Sequence, residues 1–154
     1  SVTALGPDGT VRELTNQACG FGYRKSVFSA NQMLILKVCF SLAQGDGEEI
    51  KAKMDDFAAR RREKQPLEYP SAGSAFKRPA PADGQPVYAA ALIDRCGLKG
   101  LTVGGAQVSA KHAGFVVNRG GAACADVLEL LRQVRERVLA QTGVELEMEV
   151  KVLR

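Results

Sequence analysis

The hydrophobic pattern of the chain changes its period once near the C-terminus, at Gly143. Over 124–141 the apolar residues recur at helical spacing, as Val127, Leu131, Val134 and Val138. After the glycine they alternate with charged residues, with Val144, Leu146, Met148, Val150 and Val152 set against Glu145, Glu147, Glu149 and Lys151. The first pattern indicates an amphipathic helix that ends at a glycine, and the second indicates a half-buried strand. The chain must therefore combine helix and sheet.

The same mixture recurs upstream of this segment. Residues 2–14 predict a hairpin around the turn Pro7-Asp8-Gly9, and residues 32–42 predict a long strand with one fully apolar face. Residues 87–96 predict a short helix, and residues 114–118 predict a short strand. Because strands are followed by turns as often as by helices, the pattern favours a mixed α+β fold over a doubly wound sheet.

A further predicted helix, over 48–63, carries opposite charges at its two ends. Its apolar face is formed by Ile50, Met54, Phe57 and Ala58. Glu48 and Glu49 open the helix, and the run Arg60-Arg61-Arg62 closes it shortly before Pro66. Both ends match the helix dipole, so the arginine run has a structural explanation.

The composition indicates which class of partner the chain binds. The net charge is only +4, and the chain has six phenylalanines, three tyrosines and no tryptophan. A basic stripe interleaved with aromatic residues, which is typical of nucleic-acid binders, is not seen. We therefore expect an anionic small ligand and no nucleic acid. A nucleic-acid or scaffold protein that uses the arginine run is the weakest alternative.

Cysteine spacing and apolar run lengths predict a cytoplasmic protein. The four cysteines, at 19, 39, 96 and 124, form no Cys-x-x-Cys pair, and there is one histidine. This favours free cysteines in a reducing compartment and no metal site. Apolar runs are only a few residues long, so we expect no membrane span. The chain begins Ser1-Val2-Thr3, without a methionine or a secretory signal, as expected for an internal segment.

Two glycine-rich loops carry cations beside groups that could do chemistry. The segment 70–79, with a proline at each end, places Ser74 directly after Gly73 and three residues before Lys77 and Arg78. We expect a stiff loop suited to an anionic ligand, although a plain turn between two elements has the same composition. A polar insert follows over 80–86. The second loop, 19–26, carries Arg24, which by itself indicates only a surface cation.

Five motifs, in order, cover essentially the whole chain: 19–28, 64–79, 92–100, 103–118 and 146–151. Together they resemble the C-terminal half of the UDP-N-acetylenolpyruvoylglucosamine reductase family, in its shorter subtype. Alternation alone places Glu149 on a solvated polar face and identifies no reaction. The expectations that follow come from the resemblance.

The resemblance implies a flavoenzyme of peptidoglycan precursor synthesis. Members use NADPH and FAD to reduce the enolpyruvyl group of UDP-N-acetylglucosamine enolpyruvate, which gives UDP-N-acetylmuramate. Ser74 matches the proton donor, while Arg24 and Glu149 match the residues that flank the substrate carboxylate. A guanidinium stabilises the charge that builds up there. A glutamate beside an anion helps only if it is protonated or linked through a cation or a water. Serine, a weak acid, needs a nearby cation or a polarised water, and Lys77 or Arg24 would provide it.

Substrate contacts are implied for four more residues, namely Lys64, Lys77, Arg78 and His112. Arg78 stands where many members have asparagine, and Met148 replaces a common proline. These departures make the role of Arg78 less certain than its charge suggests.

The resemblance also implies a division into two domains. Residues 1–63 would be the C-terminal part of the FAD-binding domain, and 64–154 the substrate-binding domain. The glycine-rich flavin-binding sequence is expected upstream of residue 1. We therefore expect little FAD binding and no turnover from this chain alone. The alternative is a non-catalytic module that binds a UDP-sugar.

Overall fold

The chain forms two compact units. The structure, a computed structural model, describes residues 1–81 and 84–152. The first unit is Ser1–Gly47 and the second is Glu48–Arg154. Both contain helices and antiparallel strands, so the predicted α+β class is confirmed. The predicted division at 63/64 concerns the domains of the family, and it stays a prediction.

The first unit is a three-stranded antiparallel sheet with one short helix. Its elements are β1 (Val2–Leu5), β2 (Val11–Leu14), α1 (Val27–Ala30) and β3 (Leu34–Val38), with the strands in the order β2-β1-β3. The predicted hairpin is confirmed: β1 pairs with β2, and the Gly6 N–H donates to the Thr10 carbonyl at 2.9 Å. A small core of Val2, Ala4, Cys19 and Phe28 lies against the sheet.

Strand β3 is shorter than the predicted strand over 32–42, and its apolar side chains are exposed. Val2 pairs with Val38, and the Ser1 carbonyl accepts the Cys39 N–H at 2.9 Å. The N-terminal end of β1 is reached at that point, so residues 40–42 have no β1 backbone to pair with and do not extend β3. All five β3 residues are exposed, with Leu34 at 62%.

The second unit contains the remaining elements. Helix α2 (Gly47–Lys64) leads into it, followed by β4 (Ser71–Ser74), α3 (Ala89–Arg95), β5 (Thr102–Val103), β6 (Ala106–Val108), β7 (Phe115–Asn118) and α4 (Cys124–Thr142). The strands form an antiparallel sheet in the order β4-β7-β6-β5. The helices predicted at 48–63, 87–96 and 124–141 and the strand at 114–118 are confirmed within a few residues. The predicted polar insert at 80–86 includes residues 82–83, which lie outside the described residues.

Helix α2 has the predicted charges at its ends, but its apolar face is not buried. Ile50, Met54 and Phe57 are each about half exposed or more, at 47%, 65% and 64%. Arg60 pairs with Asp56 at 2.8 Å. The arginine run is thus engaged in contacts of the helix itself, as its sequence position predicts.

The hairpin β5–β6 was not predicted. Its turn is Gly104-Gly105, in which Gly104 has a φ of 51°, a left-handed value that glycine adopts without strain. A Cβ on Gly104 would lie 2.3 Å from the carboxylate of Asp126, which accepts the Ala123 N–H at the start of α4. A glycine pair is a recognised signal of a hairpin turn, so the sequence did contain a local indication of this hairpin.

The core of the second unit lies between α4, α3 and the sheet. Its fully buried residues include Leu92, Ile93, Leu130, Leu131, Val134, Val138 and Leu146. The predicted glycine stop of α4 is confirmed, because Gly143 has a φ of 71° and its N–H donates to the Leu139 carbonyl at 2.9 Å. This core fixes both the sheet and the segment that follows α4.

The last segment, 144–152, is extended but is not the regular strand that alternation predicted. Its only bridge in the described part of the chain joins Phe76 to Met148. The alternation in burial does hold: Leu146 is fully buried and Met148 is half-buried, whereas Glu147 and Glu149 are exposed. One bridge is too short a ladder for a strand, yet it suffices to fix the register of the segment.

Candidate active site

Ser74 ends a bulged edge strand rather than the loop predicted over 70–79. Ser71 pairs with Val117 and Ser74 with Phe115, so β4 contains one residue more than the stretch of β7 opposite. The extra residue is accommodated at Gly73, whose φ of 85° favours glycine. Bulges redirect the side chains beside them. The Ser74 side chain is exposed, and it has no hydrogen-bond partner in the described part of the chain.

The segment that carries Glu149 pairs with the residues directly after Ser74. The Glu149 N–H donates to the Ala75 carbonyl at 2.9 Å, and the Lys77 N–H donates to the Glu147 carbonyl at 2.8 Å. These two bonds flank the Phe76–Met148 pair. Ala75 in turn donates its N–H to the Gly114 carbonyl at 2.8 Å. The structure therefore places Glu149 opposite Ala75, the residue next to Ser74, through backbone pairing.

A cation lies on the same ladder. The Lys77 ammonium forms an ion pair with the Glu147 carboxylate. The pKa of Lys77 is raised, mainly by its hydrogen bond to Glu147. Desolvation opposes this rise, and the charges of Glu147 and Glu149 each add a smaller increase. Lys77 is thus within electrostatic reach of Glu149. A cation in this position can offset the negative charge of Glu149.

Arg135 of α4 anchors the start of the last segment. Its Nε donates to the Leu146 carbonyl at 2.9 Å, and its Nη2 contacts the Glu145 carboxylate at 3.2 Å. Sequence analysis did not single out this residue, because an arginine on the flank of an amphipathic helix is usually a solvated charge. The role of Arg135 becomes visible only in the folded chain, where the last segment runs back along α4.

Arg24 lies in the first unit, in a tight turn between Gly22 and Lys25. The Gly22 N–H donates to the Lys25 carbonyl at 3.0 Å, and the Lys25 N–H donates to the Gly22 carbonyl at 3.2 Å. Arg24 has a φ of 56°, which is unusual for an arginine and costs on the order of 1 kcal/mol. Its guanidinium carbon lies 5.7 Å from the centre of the Tyr23 ring. Strain of this kind is concentrated at functional sites.

The other predicted substrate residues lie in the second unit. Lys64 is the exposed last residue of α2. The guanidinium of Arg78 stacks over the Tyr88 ring at 4.6 Å, which gives this arginine a packing role in addition to its charge. His112 packs edge-on against Phe115 and accepts the Gly114 N–H on Nδ1 at 3.1 Å. A neutral His112 therefore carries its proton on Nε2, where it can donate to a ligand.

Lys111, which the sequence analysis did not single out, links two of these positions. Its Nζ donates to the Arg62 carbonyl at 2.7 Å and approaches the Glu68 carboxylate at 3.5 Å. Arg62 precedes Lys64 by two residues, and His112 follows Lys111. The C-terminus of α2 is thereby tied to the His112 loop.

An apolar cavity of about 370 Å³ borders the bulged strand. It is lined on one side by Gly73 and Ala75, and on the other by Val117, Leu131 and Val150. Ser74 and Glu149 are not among its lining residues, although each is next to one of them in sequence. The cavity therefore borders the ladder without taking in these two side chains.

No metal site is found among residues 1–81 and 84–152, since no three His, Cys, Asp or Glu side chains converge there. The four cysteines are free; Cys19 is buried, whereas Cys39 and Cys124 are exposed. None of the helices in the same ranges has both the length and the apolar character needed to cross a membrane.

The glycine-rich loop 19–26 does not fit the diphosphate of FAD. Such a group needs free backbone N–H groups, which a glycine-rich turn or a helix N-terminus usually provides. In the loop 19–26 the Gly20 N–H donates to the Gln17 carbonyl at 3.2 Å, and the Gly22 N–H is used in the Arg24 turn. This loop therefore presents the Arg24 side chain rather than a phosphate cradle.

Known proteins share both the sequence and the fold. The family profile described as UDP-N-acetylenolpyruvoylglucosamine reductase, C-terminal domain, matches residues 65–153. The UDP-N-acetylenolpyruvoylglucosamine reductase of Clostridioides difficile is 48% identical over 99% of this chain and 49% of its own length. That of Limosilactobacillus reuteri is 46% identical over 98% of this chain and 49% of its own length.

A solved structure agrees with these relatives. The crystal structure of UDP-N-acetylenolpyruvylglucosamine reductase from Thermus caldophilus matches with a TM-score of 0.75 and 38% identity, covering 98% of this chain and 52% of that one. The chain thus spans about half the length of the relatives it matches. Since the profile covers more than half of the residues and includes both Ser74 and Glu149, the chain belongs to the UDP-N-acetylenolpyruvoylglucosamine reductase family.

Proposed function

We propose that this chain supplies the substrate-binding domain and the catalytic side chains of a UDP-N-acetylmuramate dehydrogenase. In this proposal residues 64–154 bind UDP-N-acetylglucosamine enolpyruvate, and residues 1–63 belong to the FAD-binding domain. FAD and NADPH act through the remaining part of the family protein. The product serves peptidoglycan precursor synthesis, and the four free cysteines support a reducing, cytoplasmic setting.

The observation that carries the proposal is the backbone pairing beside Ser74. The Glu149 N–H is bonded to the carbonyl of Ala75, and Ser74 immediately precedes Ala75. Two residues that are 75 positions apart in sequence are thereby held on one ladder. A proton donor and a carboxylate-facing group would need this kind of fixed arrangement to act on one substrate.

The roles proposed for this chain concern the proton and the carboxylate charge. The Ser74 hydroxyl gives its proton to the carbon of the enolpyruvyl group that becomes carbanionic. Arg24 binds the substrate carboxylate, where negative charge increases during the reaction. Glu149 faces the same carboxylate and is tolerated there because the Lys77 ammonium lies nearby.

We propose the missing half of the family protein as the partner of this chain. Support comes from apolar side chains that are left uncovered, those of Leu34, Leu36 and Val38 on β3 and of Met54 and Phe57 on α2. Each of the two units thus carries its own exposed apolar patch, and such patches are typical of an interface. Strand β3 is also an edge strand, which can accept a further strand.

Calorimetry with UDP-N-acetylglucosamine enolpyruvate tests the binding role. We expect the chain to bind it, and co-expression with the N-terminal half of a relative to give NADPH oxidation that depends on this substrate. Ser74→Ala should keep binding and lose oxidation, whereas Ser41→Ala, an exposed serine of the first unit, should leave both unchanged.

Two results would contradict the proposal. Failure of the chain to bind the substrate would remove the binding role. Binding without substrate-dependent oxidation in the co-expressed, flavin-loaded complex would favour the alternative, a non-catalytic UDP-sugar-binding module.

A further inference from the structure

Glu147 is an exposed carboxylate that the proposed reaction does not use. It lies on the last segment between Leu146, which is fully buried, and Met148, which pairs with Phe76. Its backbone is held in place by the Lys77 N–H, which donates to its carbonyl at 2.8 Å. The side chain therefore starts from a fixed point rather than from a mobile surface.

The carboxylate of Glu147 uses this position to pair with Lys77. Two contacts join the same two residues, one through the backbone and one between the ammonium and the carboxylate. A lysine side chain has four rotatable bonds, and the entropy lost in fixing them leaves an exposed ion pair with only a small net stabilisation. Here the entropy cost is reduced, since the backbone bond already brings the two residues together.

The location of this pair links it to the candidate active site. Lys77 follows Ser74 by three residues, and Glu149, on the opposite segment, also raises the pKa of Lys77 through its charge. Without Glu147, the ammonium would be free to move away from Glu149 into solvent. With Glu147, one positive charge stays beside Glu149.

We propose that Glu147 is a positioning residue that holds the Lys77 ammonium beside Glu149, where it meets the anionic group of the bound substrate. This inference rests on the proposed function, because it assumes that the ladder is where the substrate binds. It adds a role for a residue that need not touch the substrate itself.

Two variants separate this role from a general effect of surface charge. Glu147→Gln removes the carboxylate with little change in shape. Glu145→Gln is the matched control, as Glu145 is exposed on the same segment and contacts Arg135 instead of Lys77. Neither side chain is buried, so both variants should fold.

The first measurement follows the Lys77 side chain by ¹³C NMR in the 154-residue chain, with Lys77→Arg to assign the signal. We expect Glu147→Gln to lower the pKa of Lys77, because the hydrogen bond from Glu147 is the main cause of its rise. Glu145→Gln should leave it unchanged. An unchanged pKa in Glu147→Gln would overturn the proposal.

The second measurement is calorimetric affinity for UDP-N-acetylglucosamine enolpyruvate. We expect Glu147→Gln to weaken binding by roughly threefold or more, Glu145→Gln to match the unchanged chain, and Glu147→Gln to have no further effect in a Lys77→Met background. Binding equal to that of the unchanged chain in Glu147→Gln, with a loss in Lys77→Met, would overturn the positioning role.

The two measurements also separate this inference from the proposed function. If the unchanged chain binds no substrate, the proposed function fails and the role of Glu147 towards substrate falls with it. The Lys77 titration then still decides whether Glu147 holds the ammonium.

Discussion

The amide of Glu149 donates a hydrogen bond of 2.9 Å to the carbonyl of Ala75, the residue that follows Ser74. Through this bond the C-terminal segment and the bulged strand β4 form one ladder. The position of the ladder depends on the β4 bulge on one side and on α4 on the other. Substitutions in the β4 bulge or in α4 should therefore alter the candidate site without changing its proposed catalytic side chains.

Gly73→Ala should destabilise the second unit. Gly73 has a φ of 85°, and an alanine there is strained even though no atom lies within 4 Å of the added Cβ. The expected loss is about 1 kcal/mol in the free energy of unfolding, measured by urea denaturation. Gly47→Ala is the matched control, because that site is equally open and its φ is not in the left-handed range. Equal effects of the two variants would show that the bulge is not strained by a side chain.

Arg135→Ala should loosen the segment that carries Glu149. It removes the donor to the Leu146 carbonyl and should raise the rate of amide hydrogen exchange at Glu149 and Lys77, whose N–H groups form the ladder. A charged hydrogen bond of this kind contributes about 1–2 kcal/mol. Arg137→Ala, on the same helix and without a contact to this segment, should leave exchange unchanged. Protection retained in Arg135→Ala would mean that the ladder holds without α4.

Arg24→Gly should separate stability from function. Glycine adopts a φ of 56° without strain, so the first unit should unfold with a free energy equal to or higher than before, by up to about 1 kcal/mol. Substrate-dependent NADPH oxidation by the co-expressed complex should be lost, because the guanidinium is gone. Arg24→Ala keeps the strain and should lose activity without the gain in stability. Full activity in either variant would remove Arg24 from the proposed site.

The exposed face of α4 should lose stability in acid. The pKa of Glu129 is lowered from 4.5 to about 2, mainly by its hydrogen bond from Arg132 and further by Gln133. A lowered pKa in the folded state stabilises the fold above pH 4.5, and this contribution is lost as the pH falls towards about 2. Thermal unfolding of Arg132→Gln between these pH values should show a weaker pH dependence than the unchanged chain. An identical pH dependence in both would contradict this assignment.

The sequence predicted the helices well. A long segment with helical periodicity, ended by charged residues or a glycine, forms a helix mainly through local interactions. Helix α4, with its stop at Gly143, is the clearest case. The sequence predicted the strands less well, because a strand forms only where a neighbouring strand supplies its hydrogen-bond partners. Residues 40–42 have the alternating pattern, yet β1 offers them no backbone to pair with.

The candidate site illustrates the same limit. The composition of 70–79 fits a loop, and only the pairing of Ser71 and Ser74 with β7 shows that it is a bulged strand. Alternation correctly placed Glu149 on the exposed face, but it could not show that the Glu149 backbone pairs with Ala75, next to Ser74. Arg135 and Lys111 were missed because their contacts span 11 and 49 residues and leave no local pattern.

The most direct test of the account is a ¹H–¹⁵N NMR titration of the chain with UDP-N-acetylglucosamine enolpyruvate. The account predicts that the largest chemical-shift changes fall on the Ser74–Glu149 ladder and the His112 loop, at residues 73–77, 112–114 and 147–149. Saturable changes there would support a substrate site built on the ladder. No changes, or changes confined to the exposed face of α2, would contradict it.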